Sequence, residues 1–183
     1  MGSSIRELGG GVVAMAAVAA AWGCRCGKLA VCLFFISVGA VVYLEGITPL
    51  TIASEYGNPP VVNFLIAAGA DVDKATTDGF TPLWIAAENG HLPVVTKLIA
   101  AGADVNKATT TDGCTPLYIA VNNGHLAVVT KLIAAGADVN KAMTINGATP
   151  LYMATENSHL TVVTKLIAAG ADVNKALDRK SVV

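Results

Sequence analysis

The sequence predicts an all-α solenoid of stacked helix pairs, and three observations carry that prediction. The stretch Val-Val-Thr-Lys-Leu-Ile-Ala-Ala-Gly-Ala-Asp-Val-Asn-Lys-Ala occurs unchanged at residues 94–108, 128–142 and 162–176, with a looser copy at 61–75. Gly-Ala-Asp cores begin at Gly69, Gly102, Gly136 and Gly170, in steps of 33, 34 and 34 residues. Thr-Pro-Leu triplets starting at Thr48, Thr81, Thr115 and Thr149 keep the same steps. A period of that size, repeated head to tail, describes units that bury their apolar faces on one another rather than around one core.

Residues 78–108 illustrate the unit. Asp78-Gly79 is a tight-turn signal, because glycine accepts the positive φ of a hairpin turn. Thr81 can cap a helix with its hydroxyl, and Pro82 at the first helical position gives up a donor that has no partner there. Leu83, Ile85, Ala86 and Ala87 make this helix mostly apolar, and Gly90-His91 ends it. A second helix is predicted over about 92–101. Val94, Val95, Leu98 and Ile99 fall on one face and Thr96 and Lys97 on the other. Gly102 stands where a left-handed C-cap belongs.

This unit resembles the ankyrin repeat. The residues that carry the resemblance are Asp78-Gly79-Phe80-Thr81-Pro82-Leu83-Trp84-Ile85-Ala86-Ala87, then Gly90-His91-Leu92, then Gly102-Ala103-Asp104-Val105-Asn106. It spans residues 46 to about 176 in four units, which divide the chain as 45–77, 78–110, 111–144 and 145–177. A hydrophobic leader (1–44) precedes them and a short tail (178–183) follows. The resemblance implies helix-turn-helix pairs joined by β-hairpin loops. The chain departs from the family pattern where a histidine usually follows Thr-Pro-Leu: here stand Thr51, Trp84, Tyr118 and Tyr152. The first unit also has Gly57-Asn58-Pro59 in place of Gly-His-Leu, and the fourth has Asn146-Gly147 in place of Asp-Gly.

From Glu45 onward there are 12 acidic and 9 basic residues, a balance of −3 without a basic stripe or arginine cluster, so nucleic acid is not an expected partner. Cysteines stand at Cys24, Cys26, Cys32 and Cys114, and no second pair answers Cys24-Arg25-Cys26, so no metal site is expected. No phosphate-cradling glycine loop occurs, and no cofactor is expected. Thr115, His125 and Asp138 have the residue types of a nucleophile–base set. The same trio recurs as Thr81, His91 and Asp104 and as Thr149, His159 and Asp172, one per unit, which marks scaffold rather than a converging site. The histidines are expected to tie loop backbone together. The chain is therefore not expected to be an enzyme.

The leader holds two uncharged stretches, residues 8–24 and 29–44, with Arg25 and Lys28 between them. The first reads as a signal core with Ala19-Ala20-Ala21 as cleavage site, and the second as a signal anchor. The 16 residues of the second stretch, at ~1.5 Å each, fall short of a ~30 Å hydrocarbon core. A competing reading lays residues 27–43 on 124–140 with 8 identities, which makes the segment a decayed repeat. A wrongly assigned start is the third. The chain is membrane-associated if residues 8–44 are an anchor and cytoplasmic otherwise.

Differences between units are the guide to binding. Residues 81–108 and 115–142 agree at 24 of 28 positions. In ankyrin-like proteins the hairpin tips and the exposed side of the first helix form a concave binding surface. By position, the resemblance then implies Phe80, Trp84, Glu88 and Asn89 in the second unit. The third contributes Cys114, Tyr118, Asn122 and Asn123, and the fourth Ala148, Tyr152, Glu156 and Asn157. Trp84, Tyr118 and Tyr152 either form a contact stripe or fill the space of the usual histidine. The expected function is protein–protein association as a scaffold or adaptor; the other reading is a fragment of a larger array with a structural role or no specific partner.

Overall fold

A computed structural model describes residues 46–175 of the chain. The leader stretch 8–44, whether anchor, signal or decayed repeat, and the tail 178–183 lie outside the described residues. No described helix is long and apolar enough to cross a membrane.

The four units form eight helices among the described residues. Unit one contains α1 (Pro49–Glu55) and α2 (Pro59–Ala67), and unit two α3 (Pro82–Glu88) and α4 (Leu92–Ala100). Unit three contains α5 (Pro116–Asn122) and α6 (Leu126–Ala134), and unit four α7 (Pro150–Glu156) and α8 (Leu160–Ala168). First helices stack in one row, α1 on α3 on α5 on α7, and second helices in another, α2 on α4 on α6 on α8. Helices of seven and nine residues are too short to persist alone in water, so the rows hold each other up.

The caps fall where the sequence places them. Thr48, Thr81, Thr115 and Thr149 each accept from the backbone N–H three residues on, at 3.1–3.2 Å, with proline next at N1. An alanine at such a cap costs ~1 kcal/mol. Each second helix closes on a positive-φ glycine. Gly102 has φ 89°, its N–H donates to Ile99 O and that of Ala103 to Leu98 O, the paired bonds of a Schellman end. The loops between units are narrower than hairpins with strands. Their bases close through Thr76 N–H to Phe80 O, Thr109 N–H to Cys114 O and Met143 N–H to Ala148 O, and no strand forms among the described residues. Neighbouring loops are joined by Thr110 N–H to Asp78 O and Thr144 N–H to Asp112 O.

The main core runs as columns of equivalent residues. Leu50, Leu83, Leu117 and Leu151 come from the first helices, and Leu65, Leu98, Leu132 and Leu166 from the second. Burial of one such leucine stabilises by ~1.5–3 kcal/mol. The columns lose cover at unit four: Val95 and Val129 are fully buried, whereas the equivalent Val163 is only partly so. Ala87 and Val121 are buried, whereas Thr155 at that place is exposed and polar.

Polar bonds lock each junction. His91 Nε2 meets Glu55 O at 2.9 Å, His125 Nε2 meets Glu88 O at 3.0 Å, and His159 Nε2 meets Asn122 O at 3.2 Å. A carbonyl only accepts, so each imidazole carries its proton on Nε2. The histidines thus tie one unit to the one before it, a longer reach than the loop-bracing expected from sequence. Their rings lie against Gly57, Gly90 and Gly124, where an added Cβ would stand 2.6–2.8 Å from ring atoms. Unit four has Ser158 at that place, with φ 58°. A second ladder uses asparagine: Asn106 accepts from Asp138 N–H and donates to Gly136 O, and Asn140 does the same with Asp172 N–H and Gly170 O. Asp73, the equivalent in unit one, accepts from Asp104 N–H and has no amide to donate.

These contacts separate two kinds of glycine. Gly102 has open space around its missing Cβ, so Gly102→Ala pays only for the left-handed backbone, ~1–2 kcal/mol. Gly90→Ala adds a collision with His125 and is expected to cost at least about twice as much. Urea unfolding of the two variants checks this; equal losses would mean that the ring–glycine contact contributes nothing.

Candidate interaction surface

The twelve candidate residues fall into four columns along the row of first helices. Phe80, Cys114 and Ala148 stand just before the capping threonines, and Trp84, Tyr118 and Tyr152 on the first turn and a half of the helices. Glu88, Asn122 and Glu156 stand at the helix C-termini, and Asn89, Asn123 and Asn157 are the C-caps.

The first two columns mostly point inward. Trp84 is 7% exposed and Tyr118 5%, whereas Tyr152 is 37% exposed. Cys114 and Ala148 are buried with them, and together these residues make a second apolar cluster, flanked by Phe80, Ile85, Ile119, Met143 and Met153. Trp84 lies against Cys114 of the next unit and Tyr118 in the same cluster as Ala148; no described unit follows to cover Tyr152. The rings of Trp84 and Tyr118 therefore fill space rather than form an outer stripe. Cys114 and Ala148 are likewise buried. Phe80 is half-buried and stacks on Trp84 with ring centroids 4.4 Å apart and planes at 35°.

The outer two columns stay accessible. Asn89, Asn123, Glu156 and Asn157 are exposed, and Glu88 and Asn122 half-buried. Part of the asparagine column also joins units. Asn123 Nδ2 donates to Glu88 O at 2.9 Å and Asn157 Nδ2 to Asn122 O at 3.0 Å, while Asn89 Nδ2 turns back to Ile85 O within its own helix.

Burial sets the electrostatics. It pushes the Cys114 thiol up to about 11; the adjacent Trp84 indole N–H pulls the other way, though that N–H makes no hydrogen bond of ordinary geometry. The thiol is thus neutral and a poor nucleophile near pH 7. Burial, followed by the nearby Cys114 and acidic groups, raises the Tyr118 phenol to about 12. Burial and then the Glu55 carboxylate hold the Glu88 carboxyl above its ordinary value.

The repeated Thr–His–Asp trios do not converge. Thr115 caps Tyr118 N–H, His125 holds Glu88 O, and Asp138 accepts from Asn140 N–H two residues on. No group of three metal-ligating side chains forms among the described residues.

A cleft of about 350 Å³ opens on this side of units one and two, lined by Ile47, Thr51, Ile52, Phe80, Trp84 and Ile85, with Glu55, Thr76, Glu88 and Asn89 around them. Its unit-one residues were not singled out from sequence. Two signals were available: Glu55 stands 33 residues before Glu88, and Thr51 is the small residue in the column that is aromatic elsewhere.

The buried Tyr118 hydroxyl has no hydrogen-bond partner. Tyr118→Phe removes an unpaired polar atom and keeps the ring, so a gain of ~1 kcal/mol or more is expected in thermal unfolding. A loss of that size would show that the hydroxyl is bonded in solution.

A comparison with curated proteins found no significant match. The family model described as ankyrin repeats (3 copies) matches residues 17–109 and 106–176. The first match takes in most of the apolar leader as well as units one and two. With most of its length so matched, the chain belongs to the ankyrin-repeat family.

Proposed function

We propose that this chain is a protein-binding module whose partner lies along the first helices and loop tips. Ankyrin repeats generally serve as protein-interaction modules. The observation that supports this face is its charge. All described lysines lie on the second helices (Lys97, Lys131, Lys165) or in the loops just after them (Lys74, Lys107, Lys141, Lys175). The first helices carry Glu55, Glu88 and Glu156 and no base, the second helices carry no acid, and the loops between units carry both signs. Side chains on helices locked from both sides lose little freedom when they are met by a partner, which favours association.

The other reading, a piece of a longer array without a chosen partner, is favoured by the low diversity between units two and three. A surface scan separates the two. Proteins captured by the full chain are to be challenged with Asn89→Ala, Tyr152→Ala and Glu156→Ala on the first-helix side, and with Thr96→Ala and Thr130→Ala on the other. Specific binding that falls about tenfold or more only in the first group is the expected result. Losses confined to Thr96 and Thr130 would contradict this face, and binding no better than that of a scrambled repeat would favour the partnerless array.

A further inference from the structure

The cleft between units one and two exists because of one substitution within the repeat. Trp84, Tyr118 and Tyr152 occupy a column in which unit one has Thr51. The Thr51 hydroxyl turns back to Thr48 O at 2.6 Å, and no ring stands in front of Phe80 and Trp84. The space left has an apolar floor, and Ile47 on its rim is 41% exposed although nothing polar relieves it.

The cleft is also bordered by two like charges. Glu55 and Glu88 belong to the same column, and Glu88, half-buried, has its carboxyl held above the ordinary value by burial and then by the Glu55 carboxylate. Neither has an ion-pair partner among the described residues. The imidazoles of His91 and His125 are spent on the Glu55 and Glu88 backbone carbonyls rather than on the carboxylates. A cation between the two carboxylates would relieve their repulsion, and an apolar side chain beside it would cover the exposed floor. Arginine suits such a place better than lysine, because its flat guanidinium can lie on an aromatic ring while it donates to both carboxylates.

Resting on the reading of this face as a protein-binding surface, we propose that the cleft of units one and two is the specificity pocket. It takes a peptide segment in which an arginine or lysine sits beside an aliphatic or aromatic residue. The base lies between Glu55 and Glu88, and its apolar neighbour enters the space before Phe80 and Trp84. The equivalent place in unit three has Asn122, and in unit four Glu156 stands apart from this cleft. The pocket is therefore a property of this junction and not of every repeat.

The test is a random twelve-residue peptide library displayed on phage and selected on the full chain, with affinities of enriched peptides then read by fluorescence polarisation. The expected peptides pair a basic with an apolar residue. Their affinity falls about tenfold or more in the Glu55→Gln/Glu88→Gln double variant, weakens as salt is raised, and is unchanged in Thr130→Ala. Phe80→Ala weakens them as well, and the isosteric glutamine variants keep the test sound if that substitution disturbs folding. Enriched peptides that lack bases, or that bind the double variant equally well, overturn this inference; if they still lose affinity in Tyr152→Ala or Asn89→Ala, the interaction module itself stands. Failure to enrich any peptide, together with loss of captured proteins only from the Thr96 and Thr130 side, overturns both.

Discussion

The last carbonyls of a helix have no partner within it, and in this chain the next unit supplies one. Glu55 O, Glu88 O and Asn122 O each receive an imidazole N–H from the histidine that opens the second helix of the following unit. The glycine that ends the turn is what lets the ring come so close, since a Cβ at Gly57, Gly90 or Gly124 would occupy the same space. Capping, turn and stacking are therefore a single arrangement. No unit completes its own hydrogen bonding or its own core. Unit four follows the same logic from the other side: with no described ring above it, the glycine is replaced by Ser158 and the buried apolar position by Thr155.

The same dependence on neighbours decides which side chains face outward. An aromatic residue on the first helix is covered when a following unit lies against it, which buries Trp84 and Tyr118 and leaves Tyr152 uncovered. Where unit one substitutes Thr51, the covering ring is missing and a cleft results. Surface character along this array is thus set less by the exposed residues themselves than by what each adjacent unit fails to cover. The charge pattern adds direction, with lysines on the second helices and carboxylates on the first.

Much of the fold was legible in the sequence because its determinants are local and repeated. The capping threonines, the proline at N1, the left-handed glycines and the leucine columns follow from spacing alone, and all stand where that spacing puts them. The predicted end of the second helix, near 101, differs by one residue from its end at Ala100. Side-chain burial was less legible. Periodicity places Trp84 and Tyr118 on the first helix without saying how deeply the next unit covers them, and the sequence alone left contact stripe and space-filler open. The reach of the histidines was hidden for the same reason, since Glu55 O lies 36 residues before its donor and belongs to the backbone, which carries no sequence signal. The cleft could have been suspected from Thr51, but its volume depends on the position of Phe80, which only the packed units define.

The central claim is that stability lives at the junctions, and it is tested most directly by amide hydrogen exchange on His91→Ala. That side chain belongs to unit two, begins α4, and bonds across to unit one. Loss of amide protection through α1 and α2, on the far side of the junction, is the predicted result. Loss confined to α4, with unit one protected as before, would mean that each helix pair holds itself together and would contradict the account.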